Sequence, residues 1–170
     1  MYYETFRQMT KQLGQIEKWL DAAEASAKAR SFDSSLFLGF RLSPDQFAFA
    51  RQVQIACDTV KLGASRLTGK PAPAQPDTEA TLAELGARVK STIEYLHTFT
   101  AKEFDGAGKI TVTQPRWEGK TMTGADYFLE HVVPNFFFHL TTVYAILRHN
   151  GVAIGKRDYL GALTQTAPAA

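Results

Sequence analysis

The chain has 170 residues, of which 45% are hydrophobic and 21% are charged, a balance typical of a single globular domain. A folded chain of this length buries roughly 70% of the surface that its unfolded form exposes, so it can be stable without disulfide bonds. The one cysteine, Cys57, cannot form an internal disulfide, and the net charge of +2 comes from scattered basic residues; both features indicate a cytoplasmic protein that does not bind nucleic acid.

The first predicted element is a helix over about residues 2–29. Its apolar residues recur at three- and four-residue steps and form one continuous stripe, made of Tyr2, Phe6, Met9, Leu13, Ile16, Leu20 and Ala27. The N-terminal residues are polar and aromatic and lack the basic region and apolar run of a secretory signal. A loop is expected over about residues 30–42.

The second predicted helix begins near Ser43, which can cap it. Pro44 would take the first helical position, and Gln46 completes a pattern similar to a capping box. The helix is expected to end before Gly69. The stretch 70–77 cannot be helical, because its prolines remove donors and clash with the preceding turn.

A third helix is predicted over about residues 78–100, where leucine, valine and isoleucine again recur at helical spacing. A long connection over about residues 101–122 follows. It contains the sequence ITVT and can form a short hairpin, and connections of this length are often lids or interface elements.

The fourth predicted helix begins near Thr123 and ends at Asn150, with a kink expected at Pro134. It is the most apolar part of the chain, but Glu130 and His131 interrupt it. A lipid-facing span rarely tolerates such residues, so we expect a buried helix and no membrane partner.

These elements predict an all-α protein, an antiparallel four-helix bundle with a long loop or small hairpin before the last helix. We expect one domain over residues 1–165 and a disordered tail over residues 166–170.

Polar residues interrupt the inward face of the fourth helix. Asn135 and His139 lie four residues apart in the middle of this face, with His131 and Thr142 beside it. A buried imidazole or amide without partners costs on the order of 1–3 kcal/mol, so these groups need partners. One interpretation is a metal or proton-transfer site in the bundle interior. The other is a core histidine bonded to a neighbouring helix.

The second helix offers partners for this face. Gln52 lies on its inward side and could meet His139 or Asn135. Asp58 lies nearly opposite Val60, so it is either a surface or loop-anchoring carboxylate or one that reaches the site from another direction. Cys57 is most simply a small apolar filler, because no basic activator lies near it in sequence.

A second apolar surface lies on the outer side of the fourth helix, made of Val133, Phe137, Leu140 and Tyr144. Large apolar patches mark interfaces, which predicts a two-fold homodimer through this helix. The alternative is cover by the loop over residues 30–42, by the long connection or by the C-terminal tail.

Three segments carry a resemblance to a known family. They are RLSPDQFAFARQVQIACD on the second helix, RLTGKP after it, and DYFLEHVVPNFFFHLTTVYAILRHNGVAIGKRDYLG at the end. Together they resemble an uncharacterised branch of the DinB/YfiT-like superfamily, the domain-of-unknown-function family DUF1993. The resemblance covers nearly the whole chain and implies a four-helix bundle that is often dimeric.

The same resemblance implies a divalent metal, commonly zinc or nickel, on three histidines, and thiol-dependent transferases or isomerases among the relatives. Here His139 matches the second histidine of the last helix, and Asn135 stands in place of the first. Gln52 is nearest to the position of the histidine on the second helix. A rearranged metal site would use His139 with Asp58 or His131.

Three hypotheses follow. In the first, an interior polar pocket lined by Gln52, Asn135, His139 and Thr142 binds a small molecule without metal catalysis. In the second, the protein is a metal-dependent enzyme such as a thiol-dependent transferase. In the third, it is a dimeric structural protein without a ligand.

Overall fold

A computed structural model describes residues 1–166 of the chain. Apart from its first residue, the predicted disordered tail therefore lies outside the described residues. The protein is mostly helical with one small sheet. Its elements are α1 (Tyr2–Ala29), α2 (Phe49–Thr68), α3 (Leu82–His97), β1 (Thr111–Val112), β2 (Met122–Thr123), α4 (residues 124–149) and α5 (Lys156–Leu160). Within the described range, no helix is both long and apolar enough to cross a membrane.

The start of α2 differs from the prediction. The hydroxyl of Ser43 donates to the carboxylate of Asp45 at 2.7 Å, and the N–H of Gln46 donates to the carbonyl of Ser43 at 3.1 Å. These bonds close a separate turn. The helix begins six residues later at Phe49, whose N–H donates to the carbonyl of Phe40 at 2.8 Å.

The third helix is shorter than predicted at both ends. Its first turn is a capping box, in which Thr81 accepts from the N–H of Glu84 and Glu84 accepts from the N–H of Thr81, both at 3.1 Å. This reciprocal pair satisfies two donors that a helix start leaves free, and so fixes the beginning of α3. The predicted hairpin before the last helix is confirmed: β1 pairs antiparallel with β2.

Helix α4 is interrupted near Pro134, as its sequence predicts. The interruption takes the form of a π-helical turn over Tyr127–Val132, followed by an α-helix over Val133–His149. The N–H of Val133 donates to the carbonyl of Phe128, five residues back. Such a turn inserts one extra residue next to the proline, which has no N–H of its own to donate.

Helix α4 packs antiparallel to α2. Along the line of contact, Gln52 meets His139 at one end and Arg66 meets Tyr127 at the other. Helix α4 runs parallel to α1, because Phe6 packs on Phe128 and Trp19 packs on Tyr144.

Helix α3 completes the arrangement. It runs opposite to α1, since Leu20 lies beside Leu82 and Phe6 shares a groove with Leu96. It runs parallel to α2: Asp58 bonds Arg88, and further along both helices the hydroxyl of Tyr95 donates to the carbonyl of Lys70, two residues after α2. The mainly helical architecture is therefore confirmed, but only two of the four neighbouring helix pairs are antiparallel.

The proline-rich connection over residues 70–81 explains the parallel pair. Twelve extended residues span about 40 Å, whereas the twenty residues of α2 are about 30 Å long. The connection can thus return along the whole of α2, and the Gln54 side chain near the start of that helix donates to Glu79 at 2.8 Å.

Candidate functional site

A cleft of about 540 Å³ lies between α2 and α4, and the turn over Pro115–Trp117 closes one side of it. We call it the α2–α4 cleft. Four residues predicted for the site line it: Asp58, His131, Asn135 and His139. The predicted interior pocket is therefore a cleft open to solvent, because the long connection covers α2 and α4 only partly.

Another groove, of about 470 Å³, lies between α1 and α3 and contains none of the predicted site residues. Its floor is apolar, with Phe6, Leu96 and Phe104. The buried hydroxyl of Thr10 already donates to the carbonyl of Phe6 at 2.8 Å. Its charged and histidine side chains, Arg7, Lys11, Glu17 and His97, are exposed or half-buried, whereas the α2–α4 cleft contains the buried imidazole of His139. Small-molecule sites set fixed polar groups against apolar walls, which favours the α2–α4 cleft.

His139 is held in one orientation by α2. Its Nδ1 atom lies 2.6 Å from Oε1 of Gln52, and Nε2 of Gln52 donates to the carbonyl oxygen of Phe47 at 2.9 Å. A carbonyl only accepts, so the amide nitrogen must face Phe47 and the amide oxygen must face the imidazole. His139 therefore carries its proton on Nδ1, and Nε2 has a free lone pair. No described residue donates to this Nε2.

The imidazole of His139 is neutral at physiological pH. Burial, followed by the positive charge of Arg51, lowers the pKa of His139 to about 4. The ring is only 7% exposed, so the charged form would lose most of its hydration. The free Nε2 is thus an acceptor, a weak base and a possible ligand atom.

Asn135 lies next to His139 in the α2–α4 cleft. Its Nδ2 donates to Oγ1 of Thr59 at 2.7 Å, and that hydroxyl donates to the carbonyl of Ile55 at 2.7 Å. The hydroxyl proton is committed to Ile55, so the Asn135 amide must present its nitrogen to Thr59. Its Oδ1 is left as an acceptor with no partner among the described residues.

Thr142, which the sequence places in the same pocket, does not line the cleft. Its hydroxyl donates to the carbonyl of Phe138, one turn earlier in α4, at 2.8 Å. This bond within the helix satisfies the buried hydroxyl and leaves it no role toward a ligand.

His131 is bonded to an arginine rather than to the other polar residues. Its Nε2 accepts from Nη2 of Arg116 at 2.9 Å, and its ring lies 5.5 Å from that of Tyr127. Burial, followed by the charges of Arg116 and Arg66, lowers its pKa. Tyr127 accepts from Nη1 of Arg66 at 2.8 Å, and burial raises the pKa of its hydroxyl.

Asp58 is held by buried cations. Its Oδ1 lies 2.8 Å from Nζ of Lys61 and 3.0 Å from Nη2 of Arg88, whose side chain is 2% exposed. Arg88 also bonds Asp77 and Glu79 of the proline-rich connection, at 3.0 and 2.9 Å. Asp58 thus lines the cleft, but its Oδ1 is bonded to cations of α2 and α3, and Arg88 in turn connects it to the proline-rich connection.

The donor set does not fit the metal that the family resemblance implies. Within residues 1–166, no three His, Cys, Asp or Glu side chains are grouped so that they could hold an ion. His139 offers one free nitrogen, whereas His131 and Asp58 are each bonded to cationic side chains. Burial raises the pKa of Cys57 to about 12, so its thiolate is not available either. Three guanidinium groups, those of Arg51, Arg66 and Arg116, also line the cleft.

Sequence reasoning missed six polar residues of the cleft: Arg51, Thr59, Arg66, Gln114, Arg116 and Tyr127. A signal for Arg66 exists, because Gln52, Thr59 and Arg66 follow at seven-residue steps and so lie on one helix face. Gln114 and Arg116 belong to an irregular connection, where no periodicity indicates which way a side chain points.

The outer surface of α4 is partly covered by the chain itself. Leu140 is fully buried, and Tyr144 packs against Trp19 and Tyr159 with ring centroids 5.7 and 5.6 Å away. Tyr159 belongs to α5, in the C-terminal tail that the sequence predicts as an alternative cover for this surface. Phe138 is 57% exposed. The homodimer stays a prediction, and it rests on a smaller surface than the sequence suggests.

Comparisons with known proteins agree with this architecture. The family model described as a domain of unknown function (DUF1993) matches residues 1–160. A crystal structure of a DinB family member protein from Shewanella denitrificans is 48% identical and superposes with a TM-score of 0.95. The match covers 99% of this chain and 96% of that one. No curated protein matches the chain.

Proposed function

This chain belongs to the DUF1993 family and is DinB-like over nearly its whole length. We propose that its α2–α4 cleft binds a small polar molecule. The observation that carries the proposal is the free Nε2 of His139, held at the cleft by the bond from Nδ1 to Gln52. Because Nδ1 of the buried imidazole is bonded to Gln52, only Nε2 of His139 is left to bind a ligand.

The chemistry of this end of the cleft favours a ligand that donates hydrogen bonds. Nε2 of His139 and Oδ1 of Asn135 are acceptors, and neither has a partner among the described residues. The residues lie four apart on α4, so their side chains project from one face about 6 Å apart along the axis. An amine or a primary amide, which has two N–H donors, or a pair of hydroxyls on the ligand would satisfy both groups.

The size of the cleft supports the same proposal. A volume of about 540 Å³ lies within the range of small-molecule sites, roughly 300–1,000 Å³. The walls combine apolar side chains such as Ile55 and Leu62 with the fixed polar groups. Because the residues do not fit a three-ligand metal centre, we propose binding without metal catalysis.

The test is a screen of small donor-bearing compounds against protein labelled with 15N-histidine. A compound that binds as proposed donates to Nε2 of His139 and shifts its 15N resonance, while that of exposed His149 stays in place. The Asn135→Leu variant removes the amide oxygen and should weaken binding at least about fivefold, equivalent to roughly 1 kcal/mol.

Thr142→Val is the matched control, because that hydroxyl is buried nearby and bonds only within α4. It should leave binding unchanged. The proposal is wrong if no compound moves the His139 resonance, or if Asn135→Leu and Thr142→Val weaken binding equally.

A further inference from the structure

Two arginines at one end of the α2–α4 cleft have no carboxylate partner among the described residues. They are Arg66 on α2 and Arg116 in the turn over Pro115–Trp117. The other charges of the cleft are matched, since Arg51 pairs with Asp77, and Asp58 pairs with Lys61 and Arg88. This end therefore carries an uncompensated positive charge.

The two guanidinium groups flank the same pair of rings. Arg66 donates to the hydroxyl of Tyr127 at 2.8 Å, and Arg116 bonds Nε2 of His131 at 2.9 Å. The two rings lie 5.5 Å apart on consecutive turns of α4. A guanidinium has five N–H donors, so each arginine keeps donors free for a ligand after these bonds.

Gln114 supplies a third, independent observation. Its side chain lines the same cleft, and the residue is 8% exposed. Its Nε2 is buried and donates to nothing within residues 1–166. A buried donor without an acceptor costs about 1–3 kcal/mol, and Gln114 shares the cleft with two guanidinium groups that have no carboxylate partner, which indicates that an acceptor is supplied from outside.

We propose that the ligand of the α2–α4 cleft carries an anionic group, a carboxylate or a phosphate, bound by Arg66, Arg116 and Gln114. The proposal rests on the proposed function and names its substrate class. Guanidinium groups bind planar or tetrahedral oxyanions with paired N–H donors, and the amide adds one more. The ligand would then be bifunctional, with a donor group between His139 and Asn135 and an anion about 6–12 Å beyond Asn135 along α4, at the level of His131 and Tyr127.

The experiment titrates the full chain with sodium acetate and with inorganic phosphate, at ionic strength held constant with sodium chloride. The reporters are the side-chain 15N–1H signals of Gln114 and the fluorescence of Trp117, whose ring lies 6.2 Å from that of His131. We expect saturable changes at both reporters. Tighter binding of acetate would assign a carboxylate, and tighter binding of phosphate would assign a phosphate.

The variants are Arg66→Gln and Arg116→Gln, with Arg148→Gln as the matched control, since Arg148 is exposed on α4 and does not line the cleft. Each cleft variant should weaken binding at least about fivefold, and the control should leave it unchanged. Absence of a saturable change at Gln114 with either probe overturns the proposal, as does equal weakening in all three variants.

This result is separable from the test of the proposed function. Acetate carries no donor group for His139, so Asn135→Leu should not affect its binding. If acetate or phosphate binds while no compound moves the His139 resonance, the anion site stands and the proposed function fails. If donor-bearing compounds shift the His139 resonance while neither acetate nor phosphate produces a saturable change at Gln114, the anion inference fails and the proposed function stands.

Discussion

Nδ1 of His139 lies 2.6 Å from Oε1 of Gln52, and this contact joins α4 to α2 at the cleft. The Gln52 amide cannot turn over, because its nitrogen donates to the carbonyl of Phe47 just before α2 begins. A carbonyl in a loop thus determines which nitrogen of a histidine on another helix carries the proton. The resulting free Nε2 is the group on which the proposed binding depends.

Replacing Gln52 with leucine should remove the bond that keeps the proton of His139 on Nδ1. The change leaves Nδ1–H of His139 and the carbonyl of Phe47 without partners, so the free energy of unfolding should fall by about 1–3 kcal/mol. Urea denaturation measures this loss, and 15N spectra should show His139 leaving its single Nδ1–H tautomer. Gln8→Leu, at an exposed position on α1, is the control and should change neither quantity. An unaltered tautomer in Gln52→Leu would contradict the assigned bond.

Acid should destabilise the protein through His139. Burial and Arg51 lower its pKa in the folded state to about 4, whereas the ordinary value is 6.5. Between these values the unfolded chain binds a proton that the folded chain does not, so the contribution to stability is complete above pH 6.5. It declines as the pH falls to about 4, by at most roughly 3 kcal/mol.

The measurement is urea denaturation of the wild type and of His139→Gln at a series of pH values across this window. The variant has no imidazole at this position, so its stability should fall less steeply toward acid pH. If the free energy of unfolding falls equally steeply with pH in both proteins, His139 is not the cause of the acid destabilisation.

We predict that the protein does not bind zinc or nickel stoichiometrically. His139 contributes one free nitrogen, and His131 is bonded to Arg116. After equilibrium dialysis against either ion, elemental analysis should find less than about a tenth of an equivalent. Asn135→His creates a pair of histidines four residues apart and should increase the metal content. One equivalent in the wild type that is lost in His139→Ala would contradict the prediction.

The buried guanidinium of Arg88 should be among the most important side chains for stability. It bonds Asp58, Asp77 and Glu79 at 2.9–3.0 Å. Arg88→Met leaves these carboxylates facing one another without their shared cation, which should cost about 3–5 kcal/mol of unfolding free energy. Arg148→Met, at an exposed site, should cost less than about 0.5 kcal/mol. Similar urea midpoints for the two variants would refute this role for Arg88.

Replacement by alanine should change the free energy of unfolding in opposite directions at two glycines. A Cβ atom at Gly124, where α4 begins, would overlap the carbonyl oxygen of Ala107, so Gly124→Ala must displace backbone and should cost about 3 kcal/mol. At Gly14, within α1, a Cβ would meet nothing within 4 Å. Gly14→Ala should raise the unfolding free energy by about 0.5–1 kcal/mol. Thermal denaturation of both variants measures these changes in stability. A Gly124→Ala protein as stable as the wild type would contradict the close approach of Gly124 to the carbonyl oxygen of Ala107.

The positions of the helices and most of their ends followed from the sequence, but the start of α2 and both ends of α3 did not. Ser43, Pro44 and Gln46 have the pattern of a helix start, yet the Ser43 hydroxyl bonds Asp45 and the segment forms a turn. A capping pattern states which bonds are possible, and neighbouring acceptors decide which are made. The interruption near Pro134 was predictable because proline lacks a backbone donor.

The sequence by itself determined that His139 and Asn135 share one face of the last helix, since a spacing of four residues fixes their direction whatever surrounds them. The tertiary structure decided what that face meets. It placed Gln52 behind His139, engaged Asp58 with Lys61 and Arg88, and brought Gln114 and Arg116 into the same cleft from a connection without periodicity. Helical spacing is a local property of the backbone, whereas these contacts join residues far apart in the chain and depend on how the helices and connections pack.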